Sequence, residues 1–256
     1  MRLALFFIVL AGLARIVATY PYLTHTIDEP LQIACGLEWL EQHTYTYDKQ
    51  HPPLPRIFAG IGAHLAGVKN VTRENFSYSN AMLYEAPSYG RALGWARAGE
   101  LPFFILAAVV VWLWARRLHG EKAAIASALL FTSLPPVLAH AGLATTDMAT
   151  CGTLIAAVYA WVLWLEDCSP RRAAVLGICA ALGFLSKYTF LVFFPLLALV
   201  AVALNSGWRG GRRAASLAGA LAVFCLIVWG AFWFRFTPVS TEEGESGESF
   251  QCSQNA

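Results

Sequence analysis

About seven apolar stretches divide this chain, most of them near the ~20 residues an α-helix needs to cross a bilayer. They cover roughly residues 3–20, 98–115, 122–140, 148–165, 173–186, 188–204 and 214–234. Lipid offers the backbone no hydrogen-bond partners, so a chain with this pattern folds as helices that satisfy their own. The expected fold is therefore an all-α polytopic membrane bundle. Composition decides against a dry soluble core: 57% of residues are hydrophobic and 13% charged, where soluble domains carry about 25% charged. Ser186-Lys187-Tyr188-Thr189 alone separates the fifth stretch from the sixth, which predicts a tight hairpin. Arg2 ahead of an apolar run suits a signal peptide, but Arg15 interrupts the run and no clear small-x-small site follows. The first stretch reads as an uncleaved anchor.

Lysine and arginine in short loops set the orientation. Arg116, Arg117 and Lys122, then Arg171 and Arg172, then Arg209, Arg212 and Arg213 fall in loops that seven spans place on one side, together with Arg2. That side is expected to be cytoplasmic. The opposite face then holds a long loop of about residues 21–97, the Gly142–Asp147 turn, the Lys187 turn and the C-terminal tail. Residues 1–235 read as the membrane domain. Residues 236–256 read as an acidic disordered tail, rich in Ser, Gly and Glu and without periodicity. The net charge of +2 says little about partners, and no nucleic acid is expected among them. The six cysteines show no CxxC spacing and fall mostly in or beside apolar stretches. They read as small buried hydrophobes, with no zinc site and no disulfide framework.

The long outer loop is patterned. Pro30 suits a first helical turn, and Ile33, Leu37 and Leu40 recur at helical spacing beside polar Glu38 and Glu41. This predicts an amphipathic helix on the membrane surface. A second is expected from Pro53 to about Ala66, with Ile57, Ile61 and Leu65 on one stripe and Gly67 closing it. Residues 70–90 are polar and aromatic and read as irregular. Asn70-Val71-Thr72 and Asn75-Phe76-Ser77 match the glycosylation sequon, which carries weight only in a eukaryotic secretory lumen.

An acidic pair, Asp28-Glu29, lies just beyond the end of the first span. Charge is costly in lipid, so carboxylates held at the membrane surface point to function. Asp147 and Lys187 are expected on the same face. Bland readings stand beside these. Asp28 precedes a proline-started helix, where Asp is a favoured cap. Thr145-Thr146-Asp147 is a good capping sequence, and acid there favours the helix dipole. Lys187 and Arg15 sit where basic side chains snorkel. Arg56 suits a solvated loop. Glu100 is the main charge near the inside of a span, and it lies close to the span end. Tyr20, Tyr22, Tyr45 and Tyr47 belong to the outer face and suit either the interface belt or a stacked sugar.

Four segments carry a resemblance. TIDEPLQIACG (26–36), HPPLPR (51–56), LATTDMATCGTLIAAVYAWVLWL (143–165) and GICAALGFLSKYTFLVFFPLLAL (177–199) occur in the order and at the span ends seen in GT-C membrane glycosyltransferases. The chain resembles those that use polyprenyl- or dolichyl-phosphate sugars: the protein O-mannosyltransferases and bacterial relatives that modify lipid A, such as aminoarabinose transferases, or envelope glycans. No single motif is specific, but four in register on one face are. Family members run to several hundred residues with more spans, so the chain matches their N-terminal membrane part. Gln50 stands where several relatives carry an acidic residue.

The resemblance implies an inverting transfer from a polyprenyl-phosphate-linked sugar to a hydroxyl on a lipid, glycan or protein acceptor. It implies Asp28 as the base, with Glu29 orienting it and Asp147 as an orienting charge or metal ligand. Lys187 would bind the lipid phosphate. Arg15, His51 and Arg56 are further substrate-binding candidates. No cofactor is expected, although His51 and His140 with Asp48 or Asp147 form a donor set that suits a divalent metal. Membrane lipids are the other partners. A bacterial inner membrane with a cytoplasmic N-terminus and a periplasmic or extracellular active face is the expected location. Two other readings stay open: a catalytically incomplete fragment that still binds lipid-phosphate, and a small polytopic transporter.

Overall fold

The apolar stretches fold as helices. The computed structural model describes residues 2–69, 76–204 and 210–235. The predicted disordered tail and both sequon asparagines, Asn70 and Asn75, lie outside the described residues. Helix α1 is Arg2–Val17, and the outer segment that follows carries α2 (Glu29–Leu37), α3 (Leu54–Leu65), α4 (Phe76–Tyr84) and α5 (Tyr89–Ala98). Then come α6 (Leu101–Phe131), α7 (Pro135–Ala141), α8 (Thr146–Glu166), α9 (Pro170–Ser186), α10 (Phe190–Leu204) and α11 (Gly210–Ala231). No strand occurs among the described residues. The helical run Tyr89–Phe131 and the segments Thr146–Glu166 and Arg213–Ala231 are long and apolar enough to cross a membrane; Leu3–Val17 and Phe190–Leu204 are apolar but shorter.

Two breaks shape the second and third predicted spans. Gly120 (φ 80°, ψ −171°) interrupts α6 inside the basic segment where a loop was expected. Glycine reaches that backbone conformation without steric cost. The third span was predicted as one run over about 122–140. Instead the helix stops at Phe131, Leu134 turns extended (φ −67°, ψ 124°), and α7 begins at Pro135. A proline disfavours helical backbone at the residue before it yet suits the first turn of a new helix.

The loops gather at two ends. At one end Arg117 reaches Glu166 at 2.6 Å and Arg213 donates to the Leu165 carbonyl at 3.1 Å. At the other, Glu29 accepts from the Ala144 amide at 2.9 Å, Lys187 meets Asp147 at 2.8 Å, and the Trp39 indole donates to the Ala231 carbonyl at 2.8 Å. The grouping matches the basic and non-basic loop sets read from the sequence. Between the ends, α8 packs on α6, where Ala149 joins Phe103 and Ala107, and on α9, where Ala160 joins Ala173 and Leu176; Ala156 and Ala157 are buried between them along the helix. Small side chains let helix backbones approach in a membrane, where packing rather than water drives association.

The outer segment is more than a surface coat. Helix α2 was expected to lie on the membrane, but Ile33, Ala34 and Leu37 are buried in a core with Ala59, Ala63, Leu83, Leu93 and Ala96, and Cys35 is buried too. The stretch expected to be irregular supplies α4, whose Met82 and Leu83 join that core. Helix α3 presents small residues inward, while Ile61 and Leu65 face out as the surface reading expected. Closure depends on Gly36 and Gly60: a Cβ on Gly36 would lie 1.8 Å from the Arg56 carbonyl oxygen, and one on Gly60 2.5 Å from the Gly36 carbonyl carbon. Gly36→Ala is therefore expected to destabilise by about 1–3 kcal/mol or more through forced backbone separation. Thermal unfolding in detergent reads this as a lower midpoint.

Candidate active site

The acidic pair divides into one buried and one exposed carboxylate. Glu29 is fully buried and held by Arg97, which is also fully buried. Arg97 donates from Nε to Glu29 Oε1 at 2.8 Å and from Nη2 to Oε2 at 2.9 Å. The same guanidinium holds the carbonyls of Leu23 and Thr24 at 3.0 and 2.9 Å. Glu29 also accepts from the Thr26 amide at 2.8 Å and from the Ala144 amide. Burial opposes the charge on Glu29, but the Arg97 hydrogen bonds, the two amides and the Arg97 charge outweigh it and hold the carboxyl below its ordinary range. Segment 23–29 is thereby fastened to α5 and to the turn before α8.

That clamp presents Asp28. Its backbone (φ −89°, ψ −27°) starts α2, but its side chain makes no cap hydrogen bond and, among the described residues, no ion pair. The capping role available to it in sequence is not taken up, and the exposed carboxylate is left to solvent.

A second cluster sits one turn further along α2. Gln32 accepts from Arg56 Nε at 2.6 Å. Arg56 is wholly buried rather than the solvated arginine its loop position suggested. It also holds the Tyr45 hydroxyl at 2.7 Å and the Asp48 carbonyl at 2.6 Å, and pairs with the Asp48 carboxylate. Tyr45 passes its proton donor on to the His51 carbonyl at 2.6 Å. Burial resists ionisation of Asp48, yet the Gln50 amide and Arg56 keep its carboxyl below the usual range. His51 is half-buried and feels both this pair and the Asp147–Lys187 pair. Burial, then Arg56 and Lys187, push its imidazole down, so it is neutral at pH 7.

Asp147, in the first turn of α8, is ion-paired with Lys187 at 2.8 Å and lies 3.4 Å from His140 Nδ1. Lys187 ends α9 in extended backbone (φ −162°, ψ 137°), which turns its side chain toward α8. Both members remain partly exposed, at 26% for Lys187 and 44% for Asp147, so the pair is open to solvent.

Other candidates sit apart. Arg15 donates to Ser133 Oγ at 3.2 Å, ahead of α7. Of the four outer tyrosines only Tyr22 is exposed; Tyr20, Tyr45 and Tyr47 are partly buried. Glu100 is fully buried at the head of α6, and neither oxygen has a hydrogen-bond partner among the described residues. No three His, Cys, Asp or Glu residues among the described set converge as metal ligands. Cys35, Cys151, Cys168, Cys179 and Cys225 are free; Cys35 is buried, whereas Cys151 and Cys225 are exposed.

Sequence reading missed Arg97. It lies at the edge of an apolar run, where a snorkelling arginine is ordinary, and its partner is 68 residues away. The available signal was its place on the non-basic side of the bundle.

A family profile described as dolichyl-phosphate-mannose-protein mannosyltransferase matches residues 96–233. The match spans Arg97, Asp147 and Lys187, and begins after Asp28, Glu29, His51 and Arg56. No curated protein and no solved structure matches the chain. With more than half its length matched and an all-helical fold with apolar helices long enough to span a bilayer, the chain belongs to the dolichyl-phosphate-mannose-protein mannosyltransferase family of GT-C membrane glycosyltransferases.

Proposed function

We propose that the chain transfers a sugar from a polyprenyl-phosphate carrier to a hydroxyl acceptor at the outer face of a bacterial inner membrane. The observation that carries this reading is the Asp28 carboxylate, without a cap bond or, among the described residues, an ion pair, on a segment locked by the buried Glu29–Arg97 clamp. The acceptor oxygen attacks the anomeric carbon, its proton passes to Asp28, and the carbon–oxygen bond to phosphate breaks with its electron pair on the departing polyprenyl phosphate. One displacement inverts the anomeric centre. A positioned base contributes roughly 10²–10⁴-fold.

Lys187 stabilises the charge that develops on the leaving phosphate. Asp147 holds the lysine beneath the donor until phosphate takes its place or joins it. His51, neutral at pH 7, is a hydrogen-bond partner for donor oxygens. Arg56 acts from behind by fixing the 45–51 loop, and Glu29 by fixing Asp28, since both are buried and fully engaged. Arg15 serves the fold at Ser133 and has no part in this scheme.

The test is donor binding. Polyprenyl phosphate titrated against purified protein by native mass spectrometry is expected to bind tighter than ordinary phospholipid. Lys187→Ala is expected to weaken it about tenfold or more, as loss of one charge-assisted phosphate contact does. Binding that Lys187→Ala leaves unchanged removes the lysine from the donor site.

A further inference from the structure

Three rings gather on the outer segment that carries the proposed base. His25 Nδ1 lies 2.8 Å from the Tyr89 hydroxyl, and the His25 amide donates to the same oxygen at 3.0 Å. Tyr84 stacks on Tyr89 with ring centroids 5.3 Å apart and planes 10° from parallel. The His25 ring meets both edge-on, at 5.7 Å from Tyr84 and 5.9 Å from Tyr89. The backbone on either side of His25 is fastened: Arg97 holds the carbonyls of Leu23 and Thr24, and Glu29 holds the amide of Thr26. Yet Tyr84 is 67% exposed. His25 precedes Asp28 by three residues, so their Cα atoms are no more than about 11 Å apart.

We infer that the Tyr84–Tyr89–His25 cluster is the acceptor platform of the proposed transferase, and that the acceptor it takes is a carbohydrate rather than a peptide hydroxyl. The inference rests on the reading of Asp28 as base. Sugar rings present a flat C–H face that lies on an exposed aromatic ring, while their hydroxyls stay in water. A tyrosine that only anchors the chain in the interface needs its hydroxyl wet and its ring in lipid. Here the Tyr89 hydroxyl is committed to His25, and Tyr84 is fixed parallel to its neighbour with most of its surface open. Exposed charges of opposite sign, Glu85 and Arg91, flank the two tyrosines along the chain, so neither sign dominates, and Asp28 is the exposed carboxylate nearest His25 in sequence. An uncharged, hydroxyl-rich ring suits that setting: it stacks on Tyr84 and directs a hydroxyl to Asp28.

The experiment uses the full chain in nanodiscs with methyl α-mannoside as probe, read by saturation-transfer NMR, and a Ser/Thr-rich octapeptide as comparison. Polyprenyl-phosphate binding is measured on the same samples. Methyl α-mannoside is expected to bind, at least tenfold more weakly to Tyr84→Ala and within about twofold of wild type to Tyr84→Phe. Donor binding is expected to be equal in all three proteins. Sugar binding that is absent from wild type, or unchanged in Tyr84→Ala, overturns the platform, as does peptide binding that depends on Tyr84 while sugar binding does not. Loss of donor binding in wild type overturns the transferase reading instead, so the two failures are distinguishable.

Discussion

Arg97→Ala is expected to collapse the outer segment while leaving the membrane helices in place. The substitution strands the buried Glu29 carboxylate and frees the Leu23 and Thr24 carbonyls at once. Removing one member of a buried pair costs about 3–5 kcal/mol, because the other charge stays desolvated and uncompensated. Limited proteolysis within residues 21–97 should appear at temperatures where wild type resists, with a lower unfolding midpoint in detergent. The double variant Glu29→Gln with Arg97→Met is expected to recover part of the loss, since no buried charge remains unpaired. The same clamp gives acid a sign. The folded carboxyl of Glu29 sits below its ordinary value of 4.5. Its contribution to stability is therefore full above that value and is lost as pH falls through the lower folded value. A wild-type midpoint no more acid-sensitive than that of the double variant contradicts this role.

Asp28→Asn carries the largest expected effect on chemistry. The side chain makes no cap bond and, among the described residues, no ion pair, so the amide should leave the fold and unfolding midpoint within about 0.5 kcal/mol of wild type, as for other surface changes. Transfer should fall by about 10²–10⁴-fold with the loss of the base. Donor binding should survive, since the phosphate contact is the one proposed for Lys187. Activity lost together with donor binding would instead make Asp28 part of the donor pocket. This variant separates chemistry from positioning, which Glu29 variants cannot do because they release the segment itself.

Helix positions were largely legible because apolar length and basic-loop alternation are enforced by the bilayer and need no tertiary information. The break at Gly120 fell where the basic loop was expected, whereas the stop before Pro135 was overridden by the apolar run around it. The burial of α2 was not legible. A stripe of Ile33 and Leu37 looks the same whether it meets lipid or protein, and the deciding contact is Gly36 on Gly60 across 24 residues. Helix α4 was missed because its short polar and aromatic sequence has no periodicity until the core selects Met82 and Leu83. In the site, Asp147 and Lys187 were expected on one face and meet. Arg97 and the burial of Arg56 were hidden, since a long-range ion pair leaves no spacing in sequence.

Every role assigned above requires that this chain turn over a lipid-linked sugar. The most direct measurement is release of polyprenyl phosphate from polyprenyl-phosphate mannose by wild-type protein in nanodiscs, supplied with a pooled envelope-glycan extract, with the product's anomeric configuration read by NMR. Release should depend on the extract, and the product should have the inverted configuration. No release above that of empty nanodiscs while the donor is bound, or a product with retained configuration, would contradict these roles.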